Sequence, residues 1–287
     1  MKSAQKNNIK SIHKVIDKVS LGNSKAVLFG INYTGMDCEL NGCINDVNNI
    51  ALFLKQYGFN DINIYTDTNP LTKNDVCAFG ICTILLKLVE ESYQNNLDFV
   101  WIHYSGHGTS VECFDGDETD NRDECFVPLD YEVSGFIKDD TICSILHKFN
   151  PKTKVILLID SCNSGTICDL KYHYKDQCCR EIENKRINSK AKILCLSACR
   201  DEQTSADTYN IFGPNMASGA MTSVFLDIVK KEPNIINNVF LLTEHIAKEL
   251  KEKGFDQIPQ INSSYELNND ATLFSKCTLP IDEPSTR

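Results

Sequence analysis

Apolar residues recur along this chain in two alternating rhythms. Short unbroken apolar runs at residues 25–31, 62–65, 99–104, 155–160 and 191–197 read as strands. The run Val155-Ile156-Leu157-Leu158-Ile159-Asp160 shows no alternation, which predicts a strand covered on both faces. Between these runs, apolar positions return at helical spacing over residues 43–57, 74–91, 139–149, 217–231 and 238–253. Three of those segments close on stop signals, at Tyr57-Gly58, Asn150-Pro151 and Gly254. Strands separated by helices predict an α/β fold with a mostly parallel central sheet, flanked by helices on both faces. No repeat or linker cuts the chain, so residues 25–287 read as one domain.

Residues 1–24 follow a different pattern. Lys2, Lys6, Lys10, Lys14 and Lys18 recur every four residues, and Ile9, Ile12, Ile16 and Val19 supply an opposite face. One reading is a membrane-surface or inhibitory helix. The other is a solvated helix or tail ahead of the domain, and the small apolar face favours it. The N-terminus lacks the apolar stretch of a secretion signal, and the run at 77–86 is too short to span a bilayer. The expectation is a cytoplasmic protein without stable membrane insertion.

Composition narrows the classes. At 42% hydrophobic and 24% charged, the 287 residues form an ordinary globular chain. A formal net charge of −10 argues against nucleic-acid binding and favours a basic partner or a bound cation. There are 14 cysteines and no C-x-x-C pair, so a zinc ribbon or thioredoxin-type site has no support. Many sit in apolar runs, like Cys195, and read as reduced, buried thiols.

Ligands of open α/β sheets gather beyond the carboxyl ends of the strands. The strand at 99–104 is followed by Ser105-Gly106-His107-Gly108-Thr109, and that at 155–160 by Ser161-Cys162-Asn163-Ser164-Gly165. A histidine and a cysteine thus leave the same sheet edge, each among small residues. His107 and Cys162 are the minimum for a thiolate nucleophile with an acid–base partner. The backbone amides of Gly108 and Cys162 are candidate oxyanion donors. Singly, Cys162 reads as a buried thiol and His107 as a turn residue; their matched placement carries the catalytic reading.

A second constellation is acidic. Residues 112–140 hold 11 carboxylates against Arg122 and Lys138. Such density needs solvent or a cation, and Ca²⁺ suits several carboxylate oxygens in loose geometry. The segment is not an EF-hand, because Asp120 stands where that loop's turn requires glycine. The competing reading is a surface loop followed by a helix whose N-terminus favours Asp139 and Asp140.

His107 precedes Cys162 by 55 residues. Caspases space this pair by about 50, with a Gln-Ala-Cys signature. Here Asp160-Ser161-Cys162 departs from that signature and resembles the metacaspases. The resemblance runs through Gly30-Ile31-Asn32-Tyr33, Leu40-Asn41-Gly42-Cys43-Ile44-Asn45-Asp46 and Tyr104-Ser105-Gly106-His107-Gly108-Thr109. It continues through Ile159-Asp160-Ser161-Cys162, Gln203-Thr204-Ser205-Ala206-Asp207, Gly219-Ala220-Met221-Thr222 and Pro259-Gln260. It implies a caspase-like fold and a calcium-activated cysteine endopeptidase, typically monomeric, that cleaves protein or peptide substrates after Arg or Lys. Asp46, Ser105 and Asp160 match pocket positions for the basic side chain, with Cys43 beside the cleft. Two carboxylates there would bind a guanidinium by charge-assisted bonds and reject an acidic side chain. Taken alone, Asp46 also reads as a helix N-terminal carboxylate and Asp160 as a loop-orienting one. Asp123, Asp139, Asp140 and Asp169 match the family's calcium ligands.

The chain departs from the family pattern in two places. It lacks the Pro/Gln-rich N-terminal region of many members, and Lys171 replaces the proline usual after Asp169-Leu170. It resembles a minimal, type I-like core. The Lys and Arg residues of the basic stretch 170–190 and of the N-terminal series are expected self-cleavage sites. Competing functions are a non-catalytic caspase-like regulator and another cysteine hydrolase or ligase on the same strand ends.

Overall fold

The computed structural model describes residues 21–112, 122–162, 167–174, 180–182, 189–200, 219–255 and 257–274. The basic segment at 1–20 and much of the acidic stretch, residues 113–121, lie outside the described residues. Leu21 is buried in the core and the Asn23 amide donates to the Asp98 carboxylate, so the folded body takes in residues 21–24.

Five parallel strands form the centre: β1 (Ser24–Gly30), β2 (Asp61–Thr66), β3 (Phe99–Ser105), β7 (Lys154–Asp160) and β10 (Lys192–Arg200). The antiparallel β11 (Gln257–Ser263) and the hairpin of β8 (Tyr172–Tyr174) and β9 (Arg180–Ile182) extend it, in the order β2-β1-β3-β7-β10-β11-β8-β9. A second sheet is antiparallel, made of β4 (Gly108–Glu112), β5 (Arg122–Phe126) and β6 (Ile137–Lys138). The helices are α1 (Cys43–Gln56), α2 (Ala78–Gln94), the short α3 (Tyr131–Ser134), α4 (Asp139–Leu146), α5 (Ala220–Lys231) and α6 (Val239–Glu252).

Strand parity sorts the core into two layers. Ala26, Leu28, Phe99, Trp101, Ile156 and Leu158 point to one face, where α1, α5 and α6 supply Val47, Phe53, Phe225 and Ile246. Val27, Phe29, Val100, Ile102, Val155 and Leu157 point to the other, against Ile81, Leu85 and Leu88 of α2 and Ile142 and Leu146 of α4. Both faces are apolar because both are covered, which is why these strands carry no alternation. Trp101, Phe53, Phe225 and Phe274 form an aromatic nucleus, with ring centroids 5.2–6.4 Å apart. It fastens the segment after β11 to the α1 face.

Candidate active site

Register at the carboxyl edge of the sheet assembles the site. Ser105, last residue of β3, lies opposite Asp160, last residue of β7, so residues 106–108 and 161–162 leave adjacent strands side by side. The Gly106 amide donates to the Asp160 carbonyl at 3.4 Å. Gly108, first residue of β4, packs so tightly on the Cys162 carbonyl that a Cβ would collide with it and lie 3.0 Å from Ser161 Oγ. The structure therefore joins the His107-Gly108 loop to Cys162 directly. Cys162 is partly exposed, and neither it nor the other cysteines whose state is described forms a disulfide.

His107 is nearly buried, at 3% exposure. Its Nε2 lies 2.8 Å from the Cys38 carbonyl. A carbonyl only accepts, so Nε2 carries the ring proton and the neutral imidazole keeps its lone pair on Nδ1. Burial lowers the imidazole pKa below its usual 6.5, and the Cys38 carbonyl partly opposes that shift. The ring is thus held neutral, with its lone pair on Nδ1.

The parity that layers the core also divides this edge. Ser105 and Asp160 point to the α1 and α5 side, where they meet Asp46 of the first turn of α1. Ser105 Oγ donates to Asp46 Oδ2 at 2.8 Å. Asp160 is fully buried, and its Oδ2 accepts from the Thr222 amide at 2.7 Å, in the first turn of α5. Its Oδ1 has no hydrogen-bond partner among the described residues. Gly219 caps α5 in the left-handed region, at φ 90°, and a Cβ there would press on Asp46 Oδ2 at 2.5 Å. Two carboxylates, one serine and one helix N-terminus thus converge.

Burial, and then the charge of Asp160, push the Asp46 carboxyl up to about 7, while the Ser105 bond opposes. Burial also raises Asp160, against amide donors from Thr222, Gly219 and Met221.

Cys43, expected beside the cleft, has no exposed surface and belongs to the core layer that contains Tyr33 and Tyr104.

The acidic residues cluster in part. Asp123 of β5 and Asp139 and Asp140 of α4 each offer an oxygen, all within 4.8 Å of one another. Asp123 and Asp139 are 2% and 1% exposed, and three buried or half-buried carboxylates make a hard-oxygen donor set that fits Ca²⁺. The Lys138 ammonium pairs with Asp123 Oδ2, and Asp139 accepts from the amides of Glu124 and Asp140 at 2.7 and 2.8 Å. Asp169 stands outside that group. It is a left-handed residue, φ 44°, whose carbonyl faces Cys143 Sγ of α4 at 3.7 Å.

Of the expected cleavage sites, Lys171 directly precedes β8, a strand paired on both edges, which shields its bond. Lys175, Lys185 and Arg186 lie outside the described residues, as does the segment Gln203-Thr204-Ser205-Ala206-Asp207. The sequence reading missed the Cys38 carbonyl, since every residue carries one. It also missed Gly219 and Thr222 as neighbours of the acidic pair, although both stand in the quoted segment Gly219-Ala220-Met221-Thr222.

Comparison with known proteins agrees with this architecture. Residues 24–171 match the family described as metacaspase, peptidase C14 domain. The chain is 31% identical over 299 residues to Metacaspase-1B of Aspergillus oryzae, covering 87% of this chain and 70% of that protein. It is 32% identical over 296 residues to Metacaspase-1B of Aspergillus niger, covering 86% and 66%. It is 28% identical over 298 residues to Metacaspase-1 of Mycosarcoma maydis, covering 87% and 72%. A crystal structure of a protein from Geobacter sulfurreducens matches at TM-score 0.60, over 90% of this chain and 100% of that one. At 21% identity it speaks to the fold alone. No helix among the described residues is long and apolar enough to cross a membrane.

Proposed function

This chain belongs to the metacaspase family and is a cysteine-type peptidase with polypeptide substrates, and from that premise we propose that it is a calcium-activated endopeptidase cleaving after Arg or Lys. One observation carries the specificity: Asp46 and Asp160 converge with Ser105 at the sheet edge that also bears Cys162 and His107. A guanidinium entering between the two carboxylates would relieve their mutual repulsion and supply the partner Asp160 Oδ1 lacks. An Asp side chain would add a third negative charge, which the site repels.

The chemistry follows from the tautomer. His107 Nδ1 takes the Cys162 thiol proton, and the thiolate attacks the scissile carbonyl. The amides of Gly108 and Cys162 receive the developing oxyanion. The imidazolium then returns the proton to the leaving amine, releasing the new N-terminus and leaving an acyl-enzyme that water hydrolyses. The Cys38 carbonyl holds the ring during both transfers and stabilises its charged form.

Asp123, Asp139 and Asp140 are the proposed calcium ligands, with Asp169 a fourth on the loop after Cys162. The ion would neutralise the cluster and tie β5 and α4 to that loop. It enters in competition with the Lys138 ammonium. Self-processing is proposed at Lys175, Lys185 or Arg186 rather than at Lys171. The test is hydrolysis of fluorogenic peptides carrying Arg, Lys or Asp before the scissile bond, with and without calcium, beside Cys162→Ala. Calcium-dependent turnover of the Arg and Lys peptides alone, abolished by Cys162→Ala, is expected. Equal turnover of the Asp peptide would remove the pocket assignment.

A further inference from the structure

The loop between β1 and α1 does more than supply the Cys38 carbonyl. Tyr33, on the same loop, is fully buried and left-handed at φ 53°, which side chains of this size rarely adopt. Asp67 holds the loop on both sides of it: Oδ1 accepts from the Asn32 amide at 3.0 Å and Oδ2 from the Thr34 amide at 2.9 Å. The Tyr33 ring lies against the His107 imidazole, with centroids 4.8 Å apart. Its hydroxyl lies 2.6 Å from the Val127 carbonyl and 3.0 Å from the His107 backbone nitrogen.

Proton accounting fixes the direction of these bonds. Val127 offers a carbonyl, so the Tyr33 hydroxyl donates there and its lone pair receives the His107 N–H. Tyr104, 3.3 Å from the Tyr33 hydroxyl, donates instead to the carbonyl of His107, at 2.8 Å, or of Val127, at 3.0 Å. Both backbone groups of His107 thus meet a buried tyrosine, while Cys38 holds its ring. The Val127 amide also donates to the His107 carbonyl at 3.2 Å.

We propose that Tyr33 is a positioning residue for catalysis: its hydroxyl anchors the His107 backbone and its ring braces the imidazole, in a backbone conformation clamped by Asp67. This rests on His107 acting as the acid–base group. Tyr33 acts through His107, which its hydroxyl and ring both contact. Its effect is to hold Nδ1 where the thiol proton is transferred, and errors of an ångström in such placement cost about 100-fold in rate.

The test is Tyr33→Phe, which keeps the ring and removes the hydroxyl, leaving the His107 N–H buried without its acceptor. We expect kcat to fall about 10- to 100-fold with KM within about 2-fold. The acid limb of the kcat/KM profile should move up toward the ordinary histidine value, because a loosened imidazole is better hydrated. Among the described residues, the titratable groups on the segments packed around that ring include Cys38, Cys43, Tyr33, Tyr104 and Cys162, so iodoacetamide titration of Cys162 accompanies the profile to separate thiol from imidazole. Asp67→Asn leaves only one of the two amides its acceptor and should give the same split at smaller size. It carries the test by itself if Tyr33→Phe does not fold. Wild-type kcat with an unmoved acid limb in the folded variants, or a loss confined to KM, would overturn the proposal. His107→Ala and Cys162→Ala run alongside. Activity surviving in those two would instead overturn the dyad.

Discussion

Under the proposed specificity, Asp46 ties substrate choice to stability at the level of one carboxyl group. Its folded-state pKa, pushed from 3.8 to about 7, means the native chain holds a proton that the unfolded chain releases. The native state binds more protons between those values, so stability falls as pH rises through that window. Asp46→Asn removes the dependence. The Tm of the variant relative to wild type should climb from pH 4 to pH 7 and level above it. Thermal melts across that range check this, and a flat difference would refute it. The same proton opposes a basic substrate. KM for an Arg peptide should fall as pH rises through about 7, and lose that trend in Asp46→Asn. The stable variant is thus the unselective one, the usual compromise where a site holds like charges together.

At the scale of elements, the readable parts were those whose pattern is set by their own neighbours in sequence. Four of the five parallel strands, β1, β3, β7 and β10, announced themselves because both faces are covered, and β7 starts within one residue of its expected place. The expected helix at 74–91 instead breaks at Cys77 into a short turn, Lys73–Val76, and α2. The cause is distant: Asp130 accepts the Ala78 amide at 2.8 Å. β4, β5 and β6 escaped detection because Arg122-Asp123-Glu124 reads as solvated loop until Asp123 and Asp139 are buried beside each other. β11 hid behind Pro259, which stands in a strand opposite Ala198. Within the site, Cys162 and His107 were legible because each follows a strand, whereas Asp46, Ser105 and Asp160 were legible only through the resemblance to the metacaspases. Their convergence is a matter of register, which one strand cannot disclose. Gly108 is where element and site coincide. Gly108→Ala drives a methyl into the Cys162 carbonyl, so we expect kcat to drop about 100-fold, with a native circular dichroism spectrum. Wild-type turnover would show that the two loops separate freely.

For the whole molecule, charge and sheet edges decide what else binds. Residues 1–24 carry five Lys and one Asp, a net of +4, which leaves −14 for residues 25–287 of the total −10. Part of that excess is gathered in the cluster at β5 and α4. Replacing Asp139 and Asp140 together by Asn should abolish calcium stimulation and the calcium-induced rise in Tm, while basal fold is retained; calcium binding unchanged by calorimetry would reject the ligand set. Association depends on the edges instead. β11 would offer a seven-residue open edge if the β8–β9 hairpin did not pair with it. The hairpin moves the edge outward to β9, three residues long. At the opposite end, β2 is six residues, with polar Asp61 and Asn63, and Asp61 pairs with Lys25 at 3.2 Å. Short, polar edges are poor templates for adding a strand from a second copy. A surplus of ten negative charges adds repulsion between copies. We therefore expect light scattering to return the single-chain mass of 32.3 kDa over a broad concentration range, with calcium or without it. A dimer mass that persists on dilution would mean that β2 or β9 pairs across copies, and salt would then strengthen the association by screening that charge.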